Sequence, residues 1–126
     1  MTNSRYDKGM ATRRSVLGDD YVEGTVSNRT TFNEPFQELI TEAAWGGVWS
    51  RDNITKRERS MLTIALLAAL GHMEEFELHL RASTNTGTSA DDIREALLHV
   101  AIYGGVPAAN SAMKIAKRVL EERDEA

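Results

Sequence analysis

The sequence contains no cysteine among its 126 residues. Disulfide bonds, thiolate–zinc sites, iron–sulfur clusters and thiol chemistry are therefore excluded. Long hydrophobic runs are lacking too, because the apolar stretch Met61–Leu70 has ten residues where a membrane span needs about 20. The first thirty residues contain no apolar stretch of the kind found in signal peptides. Since the absence of cysteine also suits a reducing compartment, we expect a cytoplasmic protein.

A basic surface is also missing. The chain has 19 acidic against 15 basic side chains, a net charge of −4. Nucleic acids and anionic membranes both favour a basic patch, so we expect neither as a partner. A hydrophobic share of 41% with 27% charged residues is typical of a globular protein. The length predicts one domain over residues 1–126, with frayed ends at 1–10 and 122–126.

What the chain does have is apolar residues at helical spacing, without the alternation typical of a strand. Candidate helix starts are Asn33 with Pro35, Thr55 with Glu58, Ser89 with Asp92, and Pro107. Candidate helix ends are Gly71, Gly87 and the pair Gly104–Gly105. These signals predict an all-α fold, with weaker, short helices around residues 13–17 and 21–26.

Two of the predicted helices carry almost no polar side chains. Met61–Leu70 has Thr63 as its single polar residue, and Ala96–Ala109 has no formal charge. A helix that is apolar all round must be buried all round. A small monomer has few fully enclosed positions, so we expect an obligate oligomer with these helices at or near its interface.

The stretch GHMEEFELHLRAS contains two of the three histidines. His72, Glu75 and His79 lie at i, i+3 and i+7, so they share one side of a helix. A carboxylate four residues before an imidazole can orient and charge it. The same three residues could instead be solvated, or could hold zinc, iron or manganese, although no second such motif completes a bundle metal site.

Several other residues have both an ordinary and a functional interpretation. His99 lies in the uncharged segment ALLHVAIY, where an imidazole must find a hydrogen-bond partner or face a polar pocket. Trp45 and Trp49 lie at i and i+4, the spacing of core or interface anchors. Arg59 and Arg81 flank apolar helix segments, and arginines in such positions are usually solvated.

The stretches FQELITEAAWGGVWSR, LTIALLAALGHMEEFELHLRAS and IREALLHVAIYGGVPAANSA, taken in order, resemble the carboxymuconolactone decarboxylase family, whose fold is AhpD-like. The resemblance extends from about Arg13 to Leu120 and implies a helical bundle of about six helices. Relatives with peroxidase activity place cysteines where this chain has His72 and Glu75, so the decarboxylase branch remains. Gly47 departs from the pattern, because many decarboxylases have a carboxylate there.

The resemblance implies cofactor-independent decarboxylation of 4-carboxymuconolactone to 3-oxoadipate enol-lactone, a step in protocatechuate catabolism. It also implies a homo-oligomer, in the family a hexamer. As carbon dioxide leaves, electrons pass through the ring double bond into the lactone carbonyl. The lactone is its own electron sink, so no pyridoxal, thiamine or metal is required. The protein must bind two carboxylates, donate to the developing oxyanion and protonate a ring carbon.

On this resemblance, the expected catalytic residues are His79, Glu75 and His99, and the expected substrate-binding residues are Arg59, Arg81, Trp45, Trp49 and His72. His79 would be the proton donor or the oxyanion partner, oriented by Glu75. His99 would be the second such group, reaching in from a neighbouring helix or subunit. Arg59 and Arg81 would bind the carboxylates, with Arg13 or Arg14 as substitutes, and the tryptophans would exclude water.

Three alternatives stay open at this point. The chain could be a family member that acts on another substrate. It could be a metal-dependent helical enzyme that uses His72, Glu75 and His79. It could also be a catalytically silent helical oligomer that binds a ligand or a partner.

Overall fold

The computed structural model describes residues 4–126, and these residues form helices without any β-strand. The predicted all-α class is therefore confirmed. The helices are α1 (Arg5–Leu17), α2 (Asp19–Ser27), α3 (Glu34–Ile40), a π-helical segment (Thr41–Trp49), α4 (Lys56–Leu70), α5 (Met73–Arg81), α6 (Ser83–Thr86), α7 (Ala90–Tyr103) and α8 (Val106–Glu122). The described residues thus form nine helical segments rather than about six.

The chain divides between Thr55 and Lys56 into two compact units. We call them the N-terminal unit, which contains α1 to α3 and the π-helical segment, and the C-terminal unit, which contains α4 to α8. Within the part of the chain that the structure describes, no helix is long and apolar enough to cross a membrane.

The N-terminal unit is built on close contact between α1 and the π-helical segment. Gly9 lies buried in the middle of α1, where glycine costs about 1 kcal/mol relative to alanine. A Cβ atom at Gly9 would overlap the carbonyl oxygen of Thr41 and lie 2.8 Å from the backbone nitrogen of Gly46. The glycine is therefore required by backbone-to-backbone packing. Thr12 and Ser50 join the same two segments through a 2.7 Å hydroxyl–hydroxyl hydrogen bond.

The C-terminal unit has a continuous apolar core. Its largest fully buried side chains are Ile64 of α4, Phe76 and Leu80 of α5, Ile93 and Leu97 of α7, and Val119 of α8. Each helix contributes positions three or four residues apart, the spacing of one helical face. Alanines 68, 112 and 116 line the same core and let the helices approach closely.

The start and the end of α7 follow the sequence prediction. The Ser89 hydroxyl accepts from the Asp92 backbone N–H, and the Asp92 carboxylate accepts from the Ser89 N–H, both at 3.0 Å. This reciprocal pair is the predicted capping box. Helix α7 ends at Tyr103, directly before Gly104, and Pro107 lies in the first turn of α8 as predicted.

Other predicted boundaries are corrected. The helix expected from His72 to Gly87 is two helices, α5 and α6, with Ala82 between them. The apolar pattern expected to continue α3 becomes π-helical from Thr41. Residues 5–10, expected to fray, belong to α1, whereas residues 1–3 lie outside the described residues. At the other end, α8 stops at Glu122.

Helices α4 and α7 leave a row of large apolar side chains exposed in the single chain. We call this row the apolar face; it consists of Leu62, Leu66 and Leu70 of α4 with Leu98, Ile102 and Tyr103 of α7. Ile102 is 76% exposed and Tyr103 is 87% exposed. Contiguous exposed apolar surface typically marks an interaction site.

Candidate active site

Helix α5 places His79 at the edge of the C-terminal core. Phe76 and Leu80 point fully inward, and His79, between them on the helix, is half-buried. Burial of the imidazole lowers the pKa of His79 to about 4, and the negative charge of Glu75 raises it by less than burial lowers it. His79 is therefore neutral at pH 7, with one ring nitrogen that donates and one that accepts.

Glu75 lies one turn before His79 and is exposed to solvent. Its effect on the His79 imidazole is the electrostatic attraction between the two groups. The predicted pairing of the two residues on one side of α5 therefore exists in the structure, but the carboxylate does not keep the imidazole protonated.

His72 differs from His79 in its exposure to solvent and lies outside the helix. It occupies the residue before α5, is exposed, and its side chain makes no capping hydrogen bond with the helix. Within residues 4–126, no three histidine, aspartate or glutamate side chains lie together as a metal ion would need. The alternative of a metal site on His72, Glu75 and His79 thus has no ligand cluster in the described chain.

His99 lies on the apolar face rather than in the core. Its Nδ1 atom is 3.3 Å from the Glu95 carbonyl oxygen, and its ring stacks on Tyr103 with 6.4 Å between centroids. It opens onto a groove of about 200 Å³ lined by residues of α4 and α7 and by Gly104. No residue of α5 lines this groove, so the groove does not bring His99 and His79 together.

The two arginines expected to bind substrate carboxylates differ. Arg59 is half-buried near the start of α4. Arg81 is exposed, and its guanidinium donates to the carboxylates of Glu77 at 2.9 Å and Glu122 at 3.1 Å. These two carboxylates raise the pKa of Arg81, Glu122 more than Glu77. Of the two residues, Arg59 is thus the less exposed.

Trp45 and Trp49 lie in the π-helical segment of the N-terminal unit. Both are buried, at 6% and 8% exposure, and their ring centroids are 5.2 Å apart at an angle of 30°. Their burial agrees with the interpretation of the i and i+4 spacing as that of core anchors. Insertion of π-helical turns is frequent at functional sites.

Sequence reasoning gave little weight to one buried charge. Arg13 of α1 is 4% exposed, although the sequence suggested it only as a substitute for Arg59 or Arg81. The sequence places Arg13 at helical spacing with Gly9, Val16 and Leu17, at i, i+4, i+7 and i+8, and the structure buries all four residues. Arg13 therefore occupies a position on the buried face of the helix.

Comparison with known proteins places this geometry in a family. The model of the carboxymuconolactone decarboxylase family matches residues 34–118. A 4-carboxymuconolactone decarboxylase of Acinetobacter baylyi is 42% identical over 94% of this chain and 88% of its own length. A nitrosuccinic acid decarboxylase of Metarhizium robertsii is 41% identical over 93% of this chain and 82% of its own. A 4-carboxymuconolactone decarboxylase of Pseudomonas putida is 50% identical over 33% of this chain and 88% of its own length.

Proposed function

The chain belongs to the carboxymuconolactone decarboxylase family, and on that premise we propose that it is a carboxy-lyase that converts 4-carboxymuconolactone to 3-oxoadipate enol-lactone. Support comes from the 42% identity with a decarboxylase of that name over nearly the whole chain. The structural observation that carries the proposal is the half-buried, neutral imidazole of His79 beside an apolar core.

The proposed reaction needs no covalent bond between the protein and the substrate, because the lactone itself accepts the electrons. The bond between the ring carbon and the departing carboxylate breaks, and its electron pair moves through the ring double bond onto the lactone carbonyl oxygen. Carbon dioxide leaves and an oxyanion forms. Addition of one proton to a ring carbon then gives the enol-lactone. The enzyme must stabilise the oxyanion, desolvate the departing carboxylate and supply that proton.

His79 is suited to the first of these tasks. With a pKa of about 4, it carries a second proton in only about one molecule in a thousand at pH 7. A neutral imidazole can still donate its single N–H to a developing oxyanion. One such donor is worth about 3–4 kcal/mol in transition-state stabilisation. Of the two expected roles, the oxyanion partner is thus favoured over a resident proton donor.

The second proposed catalytic imidazole, that of His99, depends on formation of an oligomer. We propose a homo-oligomer, a hexamer as the family resemblance implies, that covers the apolar face of α4 and α7. His99 and Tyr103 lie on that face, so association would bring His99 into the vicinity of a second subunit. A histidine at this position can relay the proton that the ring carbon takes up.

The substrate carboxylate that does not leave as carbon dioxide requires a cationic side chain to bind it. Arg59 of α4 is the proposed contact in the C-terminal unit, because it is half-buried near the start of that helix. A planar guanidinium binds a carboxylate through two parallel N–H donors.

A second substrate is nearly as well supported. The nitrosuccinic acid decarboxylase is 41% identical over 93% of the chain, one percentage point below the first relative. Nitrosuccinic acid, like 4-carboxymuconolactone, has two carboxylates and an electron-withdrawing group that can accept the electrons of decarboxylation. The second candidate function is therefore decarboxylation of a nitro-substituted diacid.

One assay separates the candidates. Purified full-length protein is incubated with 4-carboxymuconolactone or with nitrosuccinic acid, with and without a chelator, and decay is followed spectrophotometrically. We expect turnover of the lactone that the chelator does not change. Faster turnover of nitrosuccinic acid would make that diacid the assigned substrate. Loss of turnover with the chelator would overturn the cofactor-independent mechanism. A folded oligomer inactive on both substrates would overturn the proposed function.

A further inference from the structure

The N-terminal unit contains two guanidinium groups that its own residues leave unsatisfied. Arg13 donates through Nη1 to the Gln37 side-chain oxygen at 3.0 Å, while its buried Nε has no hydrogen-bond partner among residues 4–126. Arg29 is half-buried, and its Nε and Nη2 atoms likewise lack a partner within the described chain. Buried donors of this kind are rare in folded proteins.

Among residues 4–126, neither Arg13 nor Arg29 forms an ion pair with a carboxylate. Burial lowers the pKa of Arg13 most, and the positive charge of Arg29 lowers it further. The groups that raise it are the phenols of Tyr21 and Tyr6. The Arg29 guanidinium also lies 5.6 Å from the centre of the Tyr6 ring, within cation–π range.

The ion pairs of Arg14, the residue after Arg13, contrast with the surroundings of Arg13. Arg14, next along α1, is more exposed and pairs with Glu23 at 2.6 Å and Asp19 at 3.5 Å. The chain thus provides carboxylates for an exposed arginine and none for the buried one beside it. Two cations that repel each other destabilise the unliganded fold, and an anionic ligand beside them would relieve that repulsion.

An open pocket of about 470 Å³ lies next to Arg13, to which two of its lining residues connect it, although neither arginine lines the pocket itself. Its walls include Gln37, which accepts from Arg13, and Tyr21, which is close enough to Arg13 to raise its pKa. Thr25, Asn28 and Asn33 add further polar side chains to the walls. Asp20 also lines the cavity, as the one carboxylate that residues 4–126 place on its wall. The volume is sufficient for a small organic acid.

We propose that Arg13 and Arg29 form a binding site for the carboxylate of a small organic acid, entered from the cavity beside Tyr21 and Gln37. Guanidinium groups are matched to this ligand class because each presents two N–H donors in one plane. The source of the carboxylate is either the substrate of the proposed decarboxylation, in which case Arg13 and Arg29 replace Arg59 as its carboxylate contact, or a separate diacid. The binding itself does not rest on the proposed function.

The probe is adipate, an unreactive diacid, with the neutral diamide adipamide as its control. Isothermal titration of the full chain is expected to show adipate binding that weakens at least tenfold in Arg13→Met and in Arg29→Met. Arg14→Met is the matched control and should bind as the wild type does. Adipamide should not bind any of them. Unchanged adipate affinity in both Arg13→Met and Arg29→Met would overturn the proposal.

Thermal stability separates a binding role from a structural one. If Arg13 is retained for binding, Arg13→Met melts at or above the wild-type temperature without ligand, and adipate no longer raises that temperature. If Arg13 serves instead to hold α1 through Gln37, Arg13→Met melts lower and adipate still stabilises it, which overturns the proposal. Should Arg13→Met fail to fold, the more exposed Arg29→Met decides by the same two readouts.

Kinetics identify the source of the carboxylate. Competitive inhibition of turnover by adipate, with a raised KM in Arg29→Met, assigns the site to the substrate. Noncompetitive behaviour with an unchanged KM assigns it to a separate diacid. Protein that binds adipate through Arg13 but turns over neither substrate would contradict the proposed function alone.

Discussion

His79 lies one turn beyond Glu75 on α5, yet burial of the imidazole, and not the Glu75 carboxylate, decides its pKa, which is about 4. The carboxylate is exposed, so water weakens its field at the ring. A histidine in this position works as a neutral group at physiological pH. Its contribution to the reaction is therefore a hydrogen bond to the oxyanion, and its protonation opposes both folding and function.

The first prediction concerns stability against pH. The pKa of His79 is about 4 in the folded chain and about 6.5 when unfolded, so the unfolded state binds more protons between these values. The free energy of unfolding should fall as the pH is lowered from about 6.5 to 4, by at most about 3 kcal/mol. Urea titrations of wild type and His79→Gln at pH 7 and pH 5 measure the difference.

The matched control for this experiment is His72→Gln, because His72 is exposed and lies before the start of α5. It should keep the wild-type pH slope, whereas His79→Gln should lose it. Asp92, Glu77 and Glu122 have lowered pKa values through their arginine partners, and their stabilisation is lost only below their ordinary values of 3.8 to 4.5. An equal slope in His79→Gln and wild type between pH 7 and pH 5 would contradict the assignment.

The second prediction concerns turnover. His79→Ala should reduce kcat/KM by about a hundredfold or more, the effect of losing one oxyanion donor. Glu75→Gln should cost less, because the carboxylate acts on the imidazole only electrostatically. His72→Ala serves as the control and should retain activity, because its side chain is exposed and makes no capping hydrogen bond with α5. Near-wild-type turnover of folded His79→Ala would remove His79 from the mechanism.

The pH profile of turnover tests the protonation state of His79, which is the third prediction. If the neutral imidazole is the working form, kcat/KM of the wild type should decline on the acid side with an apparent pKa near 4. If the imidazolium were required, kcat/KM would instead rise as the pH falls toward 4. Stopped-flow rates between pH 3.5 and pH 8 would show which limb is present, because these values bracket the titration.

The fourth prediction compares two helical glycines. Gly9→Ala places a methyl group against the backbone of Thr41 and Gly46, which cannot move away cheaply, so the variant should lose about 2 kcal/mol or more of unfolding free energy. Gly24→Ala, in α2, meets nothing within 4 Å and should gain up to about 1 kcal/mol. Chemical denaturation of both variants checks the pair; a stabilised Gly9→Ala would mean that α1 packs elsewhere.

The fifth prediction concerns assembly. Ile102→Glu and Leu66→Glu each place a charge on the apolar face, where both wild-type side chains are more than half exposed in the single chain. Burying an unpaired carboxylate in an interface is strongly unfavourable, so both variants should have a lower molar mass in solution. Light scattering after size exclusion measures it, with Lys117→Glu on the exposed side of α8 as control. A wild type that is monomeric, or variants with unchanged mass, would argue against this interface.

Features that depend on interactions within one helical turn were readable from the sequence. The capping box of Ser89 and Asp92, the helix end at Gly104 and the helix start at Pro107 all appear where the pattern predicted them. Each of these helix ends is determined by residues no more than four positions apart, so a short stretch of sequence is sufficient to predict it. The same holds for the alignment of Glu75 and His79 on one side of α5.

The sequence by itself also determined the all-α class and, through three ordered stretches, the family. Only the tertiary structure decided which ionisable side chains are paired, which are buried and which are neutral. Arg81 is paired with Glu122, 41 residues away, so its guanidinium would have to leave this pairing to bind a substrate carboxylate. His79 is neutral because burial in the folded chain lowers its pKa, and Arg13 is buried beside Gln37 of α3 and Tyr21 of α2, neither of which is a carboxylate. Desolvation and pairing depend on neighbours brought together by folding, and a linear pattern does not specify these neighbours.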